Sequence, residues 1–536
     1  MTGSAQSAGN CSTRHLRTSP NRAALLAAAL AAGTAAATGA SATDGPAAAE
    51  GPWGEPHLAI VPTTPAEAAR IAAVTRPATS FDAPEAFESH PAGAATRADL
   101  SSRDAFSFSS ANMPFEREMN FKVGNGFFTK LWVSAPSSTT SSDGLGPIYN
   151  SRACQNCHLK DGRGHPPETS DQPAESMFLR ISVPKEKSDL PAETLAYMAN
   201  APEPVYGTQL QDKGIAGQTA EGRMVIDYTP VPVELGDGSV VELRKPTYSI
   251  ADPGFGALDP DLQISPRVAP QMIGLGLVEA IPETDILALA DPDDADGDGI
   301  SGRPNRVWSN EFHQWMLGRF GLKAGAPTIK AQSAGAFAGD MGISNPLHPG
   351  GWGECTESET ACRSAPDGGT GDPDGLEAPA DVLDVVTFYA RNLAVPARRD
   401  LDDPEVLHGK DMFYEAGCPS CHHPKFVTHR LKDRPEQSFQ LIWPYSDFLL
   451  HDMGDGLADD RPEWDANGRE WRTAPLWGIG MTETVSGGTY YLHDGRARNM
   501  LEAILWHGGE AEPARESVRL MGTDDRNALI AYLESL

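Results

Sequence analysis

The sequence has little positive charge and almost no long apolar runs. Its 536 residues contain 43 Lys and Arg against 73 Asp and Glu, a formal net charge of −30 at pH 7. Because binding to nucleic-acid phosphates needs a basic surface, this balance excludes nucleic acid as a partner. Outside an alanine-rich N-terminal stretch, no apolar run reaches the roughly 20 residues that a membrane helix needs. The charge instead favours a partner with a basic surface.

The alanine-rich stretch has the organisation of a signal peptide. Three arginines precede a weakly apolar segment at 23–32, and small residues at 40–42 follow as a cleavage site. This order predicts a signal peptide over 1–42 and a soluble protein that is periplasmic or otherwise exported. The alternative, a helix of the mature protein, is disfavoured by Gly33 and Gly39.

Cysteine spacing carries the functional argument. Six residues form two copies of the pattern C-x-x-C-H, namely Cys154, Cys157 and His158, and then Cys418, Cys421 and His422. In c-type cytochromes the two thiols of this pattern hold haem covalently and the histidine is the proximal iron ligand. A zinc ribbon needs no histidine after each pair, and a redox-active cysteine pair is the other alternative. The spacing predicts two covalently bound c-type haems.

The other three cysteines have simpler interpretations. Cys11 lies within the predicted signal peptide. Cys355 and Cys362 bound a short polar loop, which predicts a disulfide in an oxidising compartment. Two free thiols with a redox role are the alternative.

An acidic loop at 294–302 fits the pattern D-x-D-x-D-G. Its carboxylates, on Asp294, Asp296 and Asp298, are of the kind that converge on calcium. The EF-hand glutamate is replaced by Asn305, which weakens the match. A calcium site is predicted here, with a solvated acidic turn as the alternative.

Periodicity predicts the secondary structure around the motifs. Alternating apolar residues at 224–228 and 239–243 predict the strands of hairpins. Helical spacing at 381–393 and 524–536 predicts two closing helices, and a further helix runs from His408 towards Cys418.

These elements predict a mainly α fold with two cytochrome-c-like haem domains. The first, residues 101–395, would carry β-hairpin and long-loop insertions and the acidic loop. The second would span 400–536, after a linker at 394–404. Residues 43–100 are rich in Ala, Pro, Ser and Thr, which indicates a loosely ordered leader.

From Phe121 to Leu536 the chain resembles the bacterial di-haem oxidoreductases sometimes called thiol oxidoreductases. These are relatives of the di-haem cytochrome c peroxidases and of MauG. The resemblance rests on the stretches 145–154, 161–166, 206–211, 273–281, 301–303, 449–454, 471–477 and 491–496.

The resemblance implies a sixth ligand for the second haem. In di-haem peroxidases a His-Asp-Gly turn precedes the helix that delivers this ligand, and here 493–495 is followed by a helix leading to His507. Bis-histidine ligation implies a lower potential than His/Met ligation. His451 and Met453 are the competing ligands, and a solvent-facing helix end is the alternative for His507.

The segment 332–342 resembles the peroxidase segment that lines the distal pocket of the peroxide-binding haem. The resemblance gives Gln332 as the residue that holds peroxide, and Asp340 stands where the family has Glu, with two fewer intervening residues. Asp340 or Glu279 would act as the acid–base group, or each would be a structural carboxylate. His165 follows His158 too closely to reach the opposite face of the haem, which leaves the first iron open or weakly held by a distant group.

The implied function is that of an exported, peroxidase-like di-haem oxidoreductase. The N-terminal haem would be catalytic, with peroxide or another small oxidant as substrate, and the C-terminal haem would transfer electrons. A small soluble donor or acceptor protein with a basic surface would be the partner. The alternatives are an electron-transfer cytochrome without peroxidase activity and a thiol-oxidising enzyme.

Overall fold

We describe a computed structural model of the chain over residues 51–536, apart from 99–100, 140 and 370–371. The predicted signal peptide over 1–42, with Cys11, lies outside the described residues. None of the described helices is long and apolar enough to cross a membrane.

The described helices are mostly short and are separated by long irregular segments. In chain order they are α1 Pro65–Val74, α2 Phe115–Phe128, α3 Cys154–Cys157, α4 Ala192–Leu195, α5 Leu275–Glu279, α6 Glu283–Leu287, α7 Ile329–Met341, α8 Thr360–Arg363, α9 Ala380–Arg391, α10 Pro404–Glu415, α11 Thr482–Ser486, α12 Met500–Leu505, α13 Glu512–Leu520 and α14 Thr523–Ser535.

The described strands pair in twos and form no larger sheet within the described ranges. They are β1 Ile60–Val61, β2 Val133–Ser134, β3 Asp143–Leu145, β4 Ile148–Tyr149, β5 Met177–Ser182, β6 Lys213–Gly214, β7 Arg223–Glu234, β8 Val240–Ala251, β9 Gln263–Val268, β10 Arg306–Ser309, β11 Gln314–Leu317, β12 Phe426–Val427, β13 Arg430–Leu431, β14 Leu441–Ile442, β15 Leu450–Asp452 and β16 Glu470–Arg472.

The strand partners are β1 with β13, β2 with β3, β4 with β6, β5 with β9, β7 with β8, β10 with β11, β12 with β14 and β15 with β16. The longest pair is the antiparallel hairpin of β7 and β8, in register from Arg223 opposite Ala251 to Glu234 opposite Val240. This confirms the hairpin predicted from alternation at 224–228 and 239–243.

The predicted mainly α fold is wrong. Helix accounts for 28% of the structure and strand for 18%, so most of the described part of the chain is turn and irregular coil, and it shows no clear cytochrome-c helical fold. The physical reason lies in composition: 53 Gly and 44 Pro interrupt helical periodicity over long stretches. Local periodicity predicted individual helices correctly but could not predict how much coil lies between them.

Two helix crossings stand out, one near each C-x-x-C-H motif. α2 packs on α9, and α10 packs on α14. At each crossing a glycine allows close approach: a methyl group at Gly124 would overlap the backbone oxygen of Val385, and one at Gly409 would overlap that of Ala528. Helices α9, α10 and α14 match the segments predicted from periodicity.

Three buried clusters hold these elements together. One joins α2, α7 and α9 around Phe121, Phe337 and Tyr389. A second joins α10, α12 and α14 around Phe413 and Tyr532. The third gathers residues from before the first motif, between the motifs and after the second, among them Phe106, Ile273 and Trp477. The two helix crossings therefore each have an apolar core of their own.

Residues 51–98, where the sequence suggested a loosely ordered leader, carry secondary structure and contact the C-terminal part. Strand β1 pairs with β13. The buried carboxylate of Glu88 forms ion pairs with Lys410, at 2.9 Å, and with Arg398. Because a buried charge is costly unless it is paired, these contacts fix the segment against α10.

Candidate functional site

One cavity of about 1010 Å³ is lined by both C-x-x-C-H motifs. Its volume lies at the upper end of the range of about 300–1,000 Å³ that is usual for ligand pockets. The first motif is the helix α3 with His158 after it, and the second begins three residues after α10 ends. The structure therefore brings the two motifs, 264 positions apart in sequence, to one cavity.

The two motif histidines are held in the same way. His158 Nδ1 lies 2.8 Å from the carbonyl oxygen of Pro270, and His422 Nδ1 lies 2.9 Å from that of Tyr445. A hydrogen bond from Nδ1 fixes the ring and leaves Nε2 as the metal-binding nitrogen. Burial lowers the pKa of each imidazole to about 4, which keeps it neutral, as a ligand must be.

The four motif cysteines are free thiols that line the cavity. Burial raises the pKa of Cys154, Cys157 and Cys418 to about 12 and also raises that of Cys421. They are therefore unionised, and they form no disulfide with one another. Free paired thiols beside a neutral histidine fit covalent haem attachment better than they fit a redox-active cysteine pair.

Helix α7 supplies part of the cavity wall. It is capped at its N-terminus by Thr328, whose side chain accepts a hydrogen bond from Ala331 N, and at its C-terminus by Gly342 in the left-handed region. Six of the eleven α7 residues that line the cavity are small, namely Ala331, Ser333, Gly335, Ala336, Ala338 and Gly339. A methyl group added at Gly335 would meet open space, so the helix leaves room for a bulky group beside it.

Gln332 and Asp340 both line the cavity from α7, and Asp340 lies near the first motif. After burial, the Asp340 carboxylate is the largest cause of the raised pKa of Cys154 and Cys157. Asp340 Oδ1 accepts a hydrogen bond of 2.9 Å from Gln209 Nε2. Burial raises the pKa of Asp340, although Arg180 and Gln209 lower it in part.

Glu279, the other predicted acid–base residue, is not among the residues that line the cavity. Its Oε2 accepts hydrogen bonds from Arg391 Nε at 2.7 Å and Arg434 Nη1 at 2.6 Å, and its Oε1 accepts one from Ile329 N. Although burial opposes ionisation, the two arginines hold the pKa of Glu279 at about 2. This position, outside the cavity lining and within a buried pair of ion pairs, favours the alternative left open from the sequence, that of a structural carboxylate.

His507 lines the cavity just after α12. Its Nδ1 lies 2.7 Å from the carbonyl oxygen of Ala503, which leaves Nε2 free, as in the two motif histidines. His507 is close enough to His422 to lower the pKa of that imidazole further. The structure therefore places His507 beside the second motif, where the sequence predicted a sixth ligand.

His451 and Met453, the alternatives to His507 as ligand of the second iron, have different surroundings. His451 Nε2 lies 2.8 Å from Asp447 Oδ2, and its Nδ1 lies 2.7 Å from Glu510 Oε2. With both nitrogens held by carboxylates, His451 has no free nitrogen for iron. Met453 lines the cavity. His165, considered for the first iron, is exposed and packs against Tyr490 at 5.7 Å between ring centroids.

The acidic loop brings together three carboxylates, of which two, those of Asp294 and Asp296, belong to the predicted calcium ligands. Carboxylate oxygens of Asp291, Asp294 and Asp296 lie within 4.8 Å of one another. Asp298 does not join them and instead lines the cavity. The loop is tied to the second motif because Ser301 Oγ donates a 2.7 Å hydrogen bond to Glu510, the partner of His451.

Cys355 and Cys362 form a disulfide, as predicted. Both are buried and pack with Ile148. This burial favours the structural interpretation of the pair over a redox role.

Sequence reasoning missed many polar residues of the cavity wall, and three of them, Arg180, His348 and Glu354, lie in the surroundings of Asp340 or of one another. Burial lowers the pKa of His348, which Glu354 raises in part. Arg180 lies in β5 and His348 on the turn after α7, with no motif to mark either. Gln209, which holds Asp340, lies in the stretch 206–211 that carried the resemblance, but nothing in its spacing indicated this contact.

Comparison with known proteins agrees with this geometry. The family model described as "Di-haem oxidoreductase, putative peroxidase" matches residues 88–536. Nothing matches among curated proteins. A solved chain of hydrazine synthase from Kuenenia stuttgartiensis is similar at 18% identity and a TM-score of 0.20, over 29% of this chain and 55% of that chain. Because the family match covers most of the sequence and both motifs, the chain belongs to the di-haem oxidoreductase family.

Proposed function

We propose that the protein is an exported di-haem peroxidase with two covalently held c-type haems of unequal role. The observation that carries this proposal is the single cavity, in which two identically held motif histidines have different polar neighbours. Asp340 lies near the cysteines of the first motif, and His507 lies near the histidine of the second.

The residues that would hold the haems are those of the two motifs. Cys154 and Cys157 would attach the first haem and Cys418 and Cys421 the second, with His158 and His422 as proximal ligands. Bound haem iron supplies an open position for a small oxidant and a route for electrons. His507, with Nε2 free, would be the second ligand near His422.

Proton transfer is the task of Asp340. Cleavage of a peroxide requires a base that takes the proton from one oxygen and returns it to the other. Gln209 holds Asp340 Oδ1, so Oδ2 is the oxygen available for that proton. Burial raises the pKa of Asp340 towards the working range of a general acid–base group. Gln332, on the same helix, would orient the peroxide through its amide.

Calcium is the second proposed cofactor. Asp291, Asp294 and Asp296 offer the hard oxygen ligands that calcium prefers. Because the loop is joined to His451 through Ser301 and Glu510, chelation should perturb the second haem's spectrum and lower thermal stability. An unchanged spectrum and melting temperature on addition of EGTA would contradict a calcium site.

Export is supported by the chemistry of the cysteines. Disulfides such as Cys355–Cys362 form in oxidising compartments. The proposed donor is a small electron carrier with a basic surface, which the net charge of −30 would attract.

The direct test combines mass spectrometry with a peroxide titration. Protein matured in a periplasm should carry two haem additions and should react with stoichiometric hydrogen peroxide under anaerobic conditions, as followed by optical and EPR spectra. One haem addition would contradict the two-haem assignment. Two additions with no reaction at any redox level would show an electron-transfer cytochrome instead.

A further inference from the structure

Four aromatic side chains form a connected cluster at the cavity wall. They are Tyr197, Trp308, Trp315 and Trp464, called here the aromatic relay. The ring centroids of Tyr197 and Trp308 are 4.6 Å apart, those of Trp308 and Trp315 are 5.6 Å apart, and those of Trp315 and Trp464 are 5.8 Å apart. Each ring thus contacts the next.

The relay borders both the cavity and solvent. Tyr197, Trp308 and Trp464 line the cavity, and Tyr197 is also 52% exposed to solvent. The relay therefore joins the cavity that would hold the haems to a surface that a macromolecule could touch.

Core packing does not account for these side chains. Trp308 and Trp315 are directly paired across the β10–β11 hairpin. The neighbouring pair, Val307 and Met316, faces the interior and is buried. Strand alternation places the two tryptophans on the opposite face, where an antiparallel hairpin ordinarily carries polar residues. None of the four relay residues belongs to a buried cluster among the described residues.

We infer that the aromatic relay is the entry route for electrons from a donor protein that is too large to enter the cavity. This inference rests on the proposed peroxidase function. Indole and phenol side chains are the most easily oxidised aromatic groups in proteins, and rings in contact make each electron-transfer step short. The relay would pass one electron at a time from a donor at Tyr197 to the cavity.

The reaction balances with peroxide as oxidant and a one-electron donor as reductant. One hydrogen peroxide, two protons and two electrons give two water molecules. The two electrons come from two molecules of a reduced haem protein, each oxidised from Fe(II) to Fe(III). The relay residues return to their starting state after each transfer.

The net charge of −30 favours a basic donor. The segment that leads to Tyr197 contributes little to it, because its three acidic residues, Glu186, Asp189 and Glu193, are accompanied by Lys185 and Lys187. Opposite charge on a partner steers its encounter and orientation. The donor class is therefore a small redox protein with a basic surface.

A suitable control lies elsewhere in the chain. Trp352 is 41% exposed, and the guanidinium carbon of Arg363 lies 4.0 Å from its ring centroid. Trp315 has a similar contact, since the guanidinium carbon of Arg306 lies 4.7 Å from its ring centroid. Trp352 neither lines the cavity nor contacts the relay, so it matches Trp315 in its arginine contact but not in position. It is more exposed than the partly buried relay tryptophans, which makes it the easier target for non-specific oxidation and therefore a stringent control.

The first experiment maps oxidation in the holoprotein. Holoprotein is treated with hydrogen peroxide in the absence of donor, and tryptic peptides are analysed by mass spectrometry. Oxidised products should appear at Trp308, Trp315 and Tyr197 while Trp352 stays unmodified. Equal modification of Trp352, or an unmodified relay, would overturn the inference. This readout needs no variant and therefore does not depend on a substituted chain folding.

The second experiment compares two donors, reduced mitochondrial-type cytochrome c as the basic protein and ascorbate as a molecule small enough to enter the cavity. In the variant Trp308→Phe/Trp315→Phe the ratio of the cytochrome c rate to the ascorbate rate should fall about tenfold, which corresponds to about 1.4 kcal/mol in the barrier. Trp352→Phe should leave this ratio unchanged. An unchanged ratio in the double variant would overturn the relay and leave the peroxidase proposal standing. If wild-type protein consumes no peroxide with either donor, both proposals fall.

Discussion

The regions around the two motifs are alike on one side and different on the other. Each has a motif histidine held through Nδ1 by a backbone carbonyl, and each has a helix crossing closed through a glycine. The neighbouring polar residues differ: Asp340 lies near the first motif, and a further histidine, His507, lies near the second. On the proposed function, this difference teaches that the motif would fix attachment, whereas these neighbours would set the role of each haem.

The largest expected effect comes from removing that histidine. His507→Ala should turn the low-spin signal of the second haem high-spin. The proposed low-spin state needs two histidine ligands on the iron, and the variant removes one of them. EPR of the oxidised holoprotein measures this. Met453→Leu is the matched control, since Met453 lines the same cavity. A low-spin signal that survives in His507→Ala and is lost in Met453→Leu would assign Met453 as the ligand.

The second prediction separates the two carboxylates that the sequence offered for the first haem. Glu279→Gln leaves Arg391 and Arg434 without their buried partner and should cost about 3–5 kcal/mol in the free energy of unfolding. The rate of reaction with peroxide should stay at the wild-type level in the folded protein. Chemical denaturation and stopped-flow spectroscopy measure the two quantities. A slowed peroxide reaction at unchanged stability would return Glu279 to the acid–base role.

The stability that the ion pairs of Glu279 contribute should depend on pH. The pKa of Glu279 is about 2 in the folded protein, below the ordinary value of 4.5. Its contribution to stability is therefore complete above about pH 4.5 and is lost as the pH falls towards 2. The stability difference between wild type and Glu279→Gln should shrink over that window, and a difference that grows on acidification would contradict the ion-pair account.

The third prediction concerns Asp340. Asp340→Asn should slow the reaction with peroxide by about 10²-fold, the low end for lost acid–base assistance, and should leave both haem spectra unchanged. Stopped-flow measurements with excess peroxide give the rate. Gln209→Leu, which removes the donor to Oδ1, should give a smaller loss. A rate for Asp340→Asn that matches the wild-type rate would remove Asp340 from the mechanism.

The smallest expected effects are changes in stability, and they test the glycine-closed helix crossing that both regions share. Gly124→Ala and Gly409→Ala should each cost about 1–3 kcal/mol, since a methyl group overlaps the facing helix at either site. Gly126→Ala, on α2 with open space around it, should instead be neutral or stabilising by about 0.5–1 kcal/mol. Thermal unfolding measures all three. If Gly409→Ala were tolerated as well as Gly126→Ala, the two crossings would not be equivalent.

Local features of this molecule were predictable and distant pairings were not. The spacing of cysteines and histidines marked both motifs, and apolar periodicity marked α9, α14 and the β7–β8 hairpin. The ion pairs of Glu279 join residues 112 and 155 positions apart, which no local pattern encodes. The sequence likewise leaves His451 as a candidate ligand, because no pattern marks Asp447, four positions away, or Glu510, 59 positions away, as the partners of its two nitrogens. The proportion of coil could not be predicted, because turns and irregular segments have no apolar periodicity that would mark them in the sequence.

The central claim is that the two irons are unequal, and titration of the oxidised holoprotein with cyanide tests it most directly. EPR at each addition should show one haem binding cyanide and the other keeping its low-spin bis-histidine signal. The unchanged signal should be the one that His507→Ala abolishes. If both haems bind cyanide, or if neither does, the claim that the two irons are unequal would be contradicted.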